Sequence, residues 1–231
     1  MIGNKDKDTF EKEGQTLVKH GKGTQRWLDG AKYEGDWRHG MAHGYGKFTH
    51  ANGDIYEGQF YMDRANGYGT YFHTNGAKYV GYWKDDMQNG YGVEELDDGS
   101  RYEGKFLNGL KHGYGKYNWA DASIYEGHWE ENAISGKGIY TWKDGRVYEG
   151  EWADNQLHGH GKYSWPDGRY YEGYYKNDKK NGYGVYRWPD GKAYEGGWKN
   201  GKQHGEGKYV NPEGKVRVGV WEGGERKKWL K

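Results

Sequence analysis

The chain has 231 residues, 43 of them glycine, and 30% of its residues are charged; such a composition alone leans towards disorder. Against that stand 12 Trp and 24 Tyr, whose rings bury large areas while keeping a polar handle, so an aromatic core is compatible with a mean hydropathy of −1.32. A net charge of +1, from 35 Lys+Arg against 34 Asp+Glu, leaves no electrostatic footprint for nucleic acid. The absence of cysteine excludes disulfides and thiolate metal sites and fits a reducing compartment. No secretory apolar region and no bilayer-length apolar run is present, so the expectation is a soluble, cytoplasmic protein.

Residues 1–9 read as an N-terminal extension, and a degenerate repeat begins at Phe10-Glu11. Tyr-Glu-Gly or a close variant then starts at Tyr33, Tyr56, Tyr79, Tyr102, Tyr125, Tyr148, Tyr171 and Tyr194, always 23 residues apart. A partial copy follows at Val218-Gly219-Val220-Trp221. Ten residues after each start comes His-Gly or a relative: His43-Gly44, Asn66-Gly67, His112-Gly113, His158-Gly159, His204-Gly205. Most units then carry Asp-Gly or Asn-Gly, as at Asp29-Gly30, Asn52-Gly53 and Asp167-Gly168. A fixed period of this length signals a repeat array. The array is expected over residues 10–221, with 222–231 as a basic C-terminal cap.

Alternation sets the local structure. In Tyr33-Glu34-Gly35-Asp36-Trp37 the Tyr, Gly and Trp share one face and the acids the other. Gly161-Lys162-Tyr163-Ser164-Trp165 repeats the pattern. Each unit is therefore two antiparallel strands. The Asp-Gly after the second strand is expected to be a two-residue turn with positive φ at both positions. Helix is disfavoured, since interior glycine costs about 1 kcal/mol relative to alanine. On the aromatic face the glycines leave gaps that neighbouring rings can cover. The expected fold is all-β: an elongated single-layer array of β-hairpin repeats, about nine units and about eighteen strands, forming a twisted ribbon with an aromatic groove.

Tyr148-Glu149-Gly150-Glu151-Trp152 followed by His158-Gly159-His160-Gly161-Lys162-Tyr163 resembles the consensus of the MORN (membrane occupation and recognition nexus) repeats, and the likeness extends over roughly residues 10–221. The resemblance implies curved β-hairpin arrays, some of which hold a partner peptide, often helical, along the aromatic groove. It also implies a scaffold or adaptor, as in ciliary radial-spoke heads, junctophilins and the N-terminal part of some phosphoinositide kinases. Departures from the pattern are Val80 for Glu, Glu94 and Leu96 for two aromatics, Ala122 for the turn glycine, and Gly14 for Trp. The changes at residues 79–101 interrupt the expected groove.

No chemistry stands out from the repeat. The row Glu34, Glu57, Glu103, Glu126, Glu149, Glu172 and Glu195 reads as a ladder of charge on the face away from the groove. The histidines His20, His43, His112, His158 and His204 share one slot and read as loop-shaping residues, with no metal site. Gly44-Tyr45-Gly46-Lys47 lacks the strand–loop–helix context of a phosphate loop. The expectation is a non-enzymatic scaffold without a cofactor. It docks an extended or helical protein segment on Tyr33, Trp37, Tyr56, Tyr125, Trp129, Tyr148, Trp152, Tyr163, Trp165, Tyr171, Tyr186, Trp188, Tyr194 and Trp198, in a cytoskeletal or ciliary, radial-spoke-like assembly. The alternatives are a membrane-apposed adaptor binding anionic lipid through Arg226, Lys227, Lys228 and Lys231, or the regulatory repeats of a phosphoinositide kinase. Self-association through exposed terminal strands is a further expectation.

Overall fold

The computed structural model describes residues 8–230; residues 1–7, most of the expected extension, and Lys231 lie outside the described residues. Every element among them is a β-strand. The chain divides into two compact units, residues 1–112 and 113–231.

In the first unit β1 (Phe10–Glu13) and β2 (Thr16–Lys19) form a small exposed hairpin sheet. An antiparallel meander follows: β3 (Gly21–Arg26), β4 (Lys32–Arg38), β5 (Met41–Thr49), β6 (Ile55–Tyr61), β7 (Arg64–Phe72), β8 (Lys78–Lys84), β9 (Met87–Glu95) and β10 (Arg101–Leu107). Each strand pairs with its sequence neighbours, and the alternation of seven and nine residues follows the repeat. The core is the enclosed aromatic layer of Tyr33, Trp37, Tyr56 and Phe60.

The second unit continues the pattern from β11 (Leu110–Asn118), whose Gly113–Asn118 segment pairs with β12 (Ile124–Glu130). Then come β13 (Ala133–Thr141), β14 (Val147–Ala153), β15 (Gln156–Ser164), β16 (Tyr170–Lys176), β17 (Lys179–Arg187), β18 (Ala193–Lys199), β19 (Lys202–Val210), β20 (Val216–Glu222) and β21 (Glu225–Leu230). Neither sheet closes into a barrel.

The turn chemistry corrects the sequence reading. At Asp29-Gly30 only the glycine has positive φ, at 96°. The link is wider than two residues: the Trp27 N–H donates to the Ala31 carbonyl at 2.9 Å and the Gly30 N–H to Trp27 at 3.1 Å. The Asp29 carboxylate accepts the Ala31 N–H at 3.0 Å, an Asx turn ahead of a left-handed residue. Two-residue turns with both positions at positive φ occur instead inside each unit, as at Asp154 (48°) and Asn155 (63°). Their signature is Asn, Asp or Gly at the second position, in Gly40, Asp63, Asp86, Gly109, Asn132, Asn155, Asp178, Gly201 and Gly224.

These turns also link successive units. The second turn residue accepts a backbone N–H from the preceding unit: Asp63 from Ala42 (2.7 Å), Asp86 from Ala65 (2.7 Å), Asn155 from Ile134 (2.8 Å) and Asp178 from Leu157 (2.8 Å). The His-Gly slot forms a bulge. Between the pairs Gly35↔Gly46 and Trp37↔Ala42, Asp36 alone faces His43, Gly44 and Tyr45, with Gly44 at φ 77°.

Candidate partner-binding groove

The groove is built from a ring seated on a pair of glycines. In β14 and β15, Gly150 lies opposite Gly161 and Tyr148 opposite Tyr163. The Tyr148 ring folds down over the glycine pair, so that a Cβ placed on Gly161 would lie 2.3 Å from the Tyr148 Oη. Its hydroxyl donates to the Glu151 carbonyl at 2.9 Å. Trp152 and Tyr175 meet the ring at 5.1 and 5.4 Å in edge-to-face geometry. Burial pushes the phenol well above its ordinary range. Tyr33 sits on Gly46 in the same way, donating to Asp36 at 2.9 Å.

This seating narrows the expected contact face. Tyr33, Trp37, Tyr56, Tyr125, Trp129, Tyr148, Trp152, Tyr171, Tyr186, Tyr194 and Trp198 are all at 9% exposure or less. They are the aromatic core beneath the groove: the glycine pits draw the first-strand rings inward, and Tyr186, on a second strand, is enclosed beside Lys180 and Trp198. Tyr163, Trp165 and Trp188 are half-buried and present an edge to solvent.

In the second unit these outer rings join others into a ladder. Successive centroids are Tyr117–Trp119 4.5 Å, Trp119–Tyr140 5.0 Å, Tyr140–Trp142 4.5 Å and Trp142–Tyr163 5.1 Å. The run continues through Tyr163–Trp165 4.5 Å, Trp165–Tyr186 5.9 Å and Tyr186–Trp188 4.5 Å. Sequence reasoning named Tyr163, Trp165, Tyr186 and Trp188 but missed Tyr117, Trp119, Tyr140 and Trp142. The signal was available, because the missed residues fill the same slots one or two periods earlier.

Cations lie along this ladder. The Arg146 guanidinium sits 5.4 Å from the Trp142 ring and donates to the Tyr163 hydroxyl at 3.0 Å. Arg169 lies 5.3 Å from Trp165 and pairs with Asp167 at 2.7 Å. Lys180 reaches further in, with its ammonium 4.4 Å from Tyr186, 4.8 Å from Trp198 and 4.9 Å from Tyr171. Burial first, and then the charge of Arg169, pull the Lys180 pKa down to about 8.

The first unit's groove has pits. The slot held by Ile134, Leu157 and Lys180 is Ala42 and Ala65 here. A cavity of about 310 Å³ opens at Ala65 among Phe48, Tyr56, Tyr71 and Trp83, and another of about 340 Å³ at Ala42 beside Trp27 and Trp37. The outer row runs Trp27–Phe48 (5.5 Å), Phe48–His50 (4.7 Å), His50–Tyr71 (5.5 Å) and Tyr71–His73 (4.7 Å). At the expected interruption Glu94 pairs with Lys111 at 2.6 Å, and that ammonium lies 5.2 Å from Tyr102.

A family model of the MORN repeat matches residues 18–32, 33–55, 56–78, 79–101, 102–123, 125–145, 148–168, 171–193 and 194–216. The chain belongs to the MORN repeat family. No match was found among curated proteins. Among solved structures, the chain is similar to the wild-type TCP10 domain of Danio rerio CPAP in complex with a peptide of Danio rerio STIL. That likeness has 14% identity and a TM-score of 0.53, covering 97% of this chain and 99% of that one. The same domain without the peptide matches at 13% identity and TM-score 0.48, over 90% and 99% of the two chains. The Drosophila melanogaster SAS-4 (dCPAP) TCP domain, in complex with a proline-rich motif of Ana2 (dSTIL), matches at 15% identity and TM-score 0.40, over 76% and 97%. The first likeness is one of fold.

The other face of the MORN sheet is polar with exposed phenols. Tyr45, Tyr68, Tyr91, Tyr114 and Tyr183 stand half or more exposed. The Tyr114 hydroxyl donates to Glu126 at 3.0 Å, Tyr45 to Glu57 at 3.3 Å, and Tyr91 and Tyr183 reach Glu103 and Glu195. The glutamate row is thus partly tied by tyrosines, beside ion pairs such as Arg101–Glu103 at 2.6 Å. Among the described residues no group of three or more metal-ligating side chains converges. At the C-terminal end, Trp229 packs 5.9 Å from Trp221 with Arg226 stacked on it at 4.3 Å. Lys227 pairs with Glu225 at 3.0 Å, Lys228 is exposed, and Lys231 lies outside the described residues.

Proposed function

We propose that this MORN protein is a non-enzymatic scaffold that docks an extended or helical segment of a protein partner along its aromatic groove. The observation carrying this reading is the unbroken ladder of rings from Tyr117 to Trp188, half-buried at every rung but the enclosed Tyr186. Rings already locked by their neighbours offer large area with little rotamer entropy to lose on binding. The TCP10 domain of similar fold, solved with a STIL peptide, supports the reading by analogy. A cytoskeletal or ciliary assembly in the cytoplasm is the setting we assign, on the family resemblance alone.

Affinity purification from the native cell tests the proposal. The wild-type chain is compared with Trp142→Ser/Trp165→Ser, which alters the ladder but spares the enclosed rings, and with Tyr114→Ser on the opposite face. A defined set of proteins is expected with wild type and Tyr114→Ser and to be lost with the ladder variant. Equal recovery by all three would place recognition elsewhere. For the setting, axonemal immunofluorescence of the tagged chain is expected, and a diffuse signal would count against it.

A further inference from the structure

One slot of the repeat, on the second strand beside the aromatic core, varies along the chain: Lys19, Ala42, Ala65, Gln88, Lys111, Ile134, Leu157, Lys180, Gln203 and Arg226. Two of its lysines are answered from within the chain. Lys19 pairs with Asp8 at 3.4 Å, and Lys111 with Glu94 at 2.6 Å. Lys180 has no such answer among the described residues, although it lies deeper among rings than either: four aromatic centroids stand 4.4–5.7 Å from its ammonium. The residue opposite in the preceding unit, where Lys111 finds Glu94, is Tyr163. The turn residue of the following unit, an acid at Asp63, Asp86 and Asp178, is Gly201. The neighbouring charge that Lys180 does feel, Arg169, has the same sign.

A cation half withdrawn from water and lacking an anion is unfavourable in the free protein, and an anion brought by a ligand relieves that cost. Four apolar ring faces around the ammonium exclude water and strengthen the pairing. Resting on the groove reading above, we infer that the docked segment carries an Asp or Glu flanked by apolar residues, and that its carboxylate seats on Lys180 between Trp165, Tyr186 and Trp198. Arg169, stacked on Trp165, adds a second positive group at the edge of the seat.

The test is selection of a displayed random twelve-residue peptide library on the full-length chain, followed by a double-mutant cycle with synthetic peptides. Lys180→Leu and Lys180→Gln are the variants, since Leu157 and Gln203 fill the same slot, and circular dichroism matching wild type is the check that both fold. Selected peptides are expected to share one acidic position among apolar ones. Replacing that acid by its amide is expected to weaken binding to wild type at least tenfold and to leave binding to Lys180→Leu unchanged. Peptides that lose binding to Trp142→Ser/Trp165→Ser yet ignore both the amide and Lys180→Leu would overturn this inference while leaving the groove reading standing. Peptides indifferent to the ladder variant, or a selection that yields no binder, would contradict both.

Discussion

Replacing Gly161 by alanine probes the seat on which the fold depends. The new methyl would lie 2.3 Å from the Tyr148 Oη and 2.5 Å from Cζ, inside van der Waals contact, so the ring must rise from its pit. It has no free space to enter, because Tyr148 is 0% exposed and Trp152 and Tyr175 bracket it. Overpacking of this kind costs about 1–3 kcal/mol. Losing the hydroxyl's bond to Glu151 adds about 0.5–1.5 kcal/mol. Disturbing two edge-to-face contacts adds about 0.5–1.5 kcal/mol each. Alanine returns roughly 0.5–1 kcal/mol of chain entropy. The net loss is roughly 1.5–7 kcal/mol, and its centre near 4 kcal/mol corresponds to roughly 8–16 °C in Tm for a chain of this size. Scanning calorimetry reads the Tm of Gly161→Ala in wild type and in Tyr148→Ala. The alanine is expected to be costly in the first background and close to neutral in the second. A Tm within 2 °C of wild type in the first, or equal losses in both, would refute the seating argument.

Ala122 adopts φ 71° where other units have glycine, so Ala122→Gly should stabilise by about 1 kcal/mol, raising Tm by roughly 2–4 °C; a lower Tm would contradict this. The enclosed tyrosines hold their protons beyond the ordinary phenol range through burial, with Tyr194 pushed up to about 12. Their folded values exceed the unfolded value near 10, so stability falls as pH rises above about 10. Urea midpoints should decline from there, together with the rise of phenolate absorbance; a midpoint flat to pH 12 would refute it. For Lys180 the sign is reversed: its pKa is lowered to about 8, so the unfolded state binds more protons between pH 8 and 10.5 and wild type gains stability across that window. Lys180→Gln should lack this gain and be the more stable chain at pH 7; identical slopes would show that the ammonium is solvated.

Much of the fold was legible because the repeat states each rule nine times. Alternation placed Tyr148, Gly150 and Trp152 on one face, and the glycine pits received their rings. Alternation does not report depth, however. Tyr148 and Tyr163 face the same way, but only Tyr148 has the glycine pair beneath it and sinks from reach. Of the fourteen aromatics expected to form the contact face, only Tyr163, Trp165 and Trp188 are therefore more than 9% exposed. The turns were misplaced for a related reason. Asp-Gly suits both a two-residue turn and a wider Asx turn with one left-handed glycine, and strand register decides between them. Lys180 was invisible in the sequence because its character lies in what the neighbouring slots lack.

Photocrosslinking in the native cell asks where the partner lies. A benzophenone amino acid replaces Trp142 or Trp165 on the ladder, and Tyr114 or Tyr183 on the opposite face. Docking along the aromatic groove predicts adducts to the same protein from both ladder positions and none from the opposite face. Adducts from Tyr114 and Tyr183 alone would contradict it, and would assign recognition to the polar face and its tyrosine–glutamate rows.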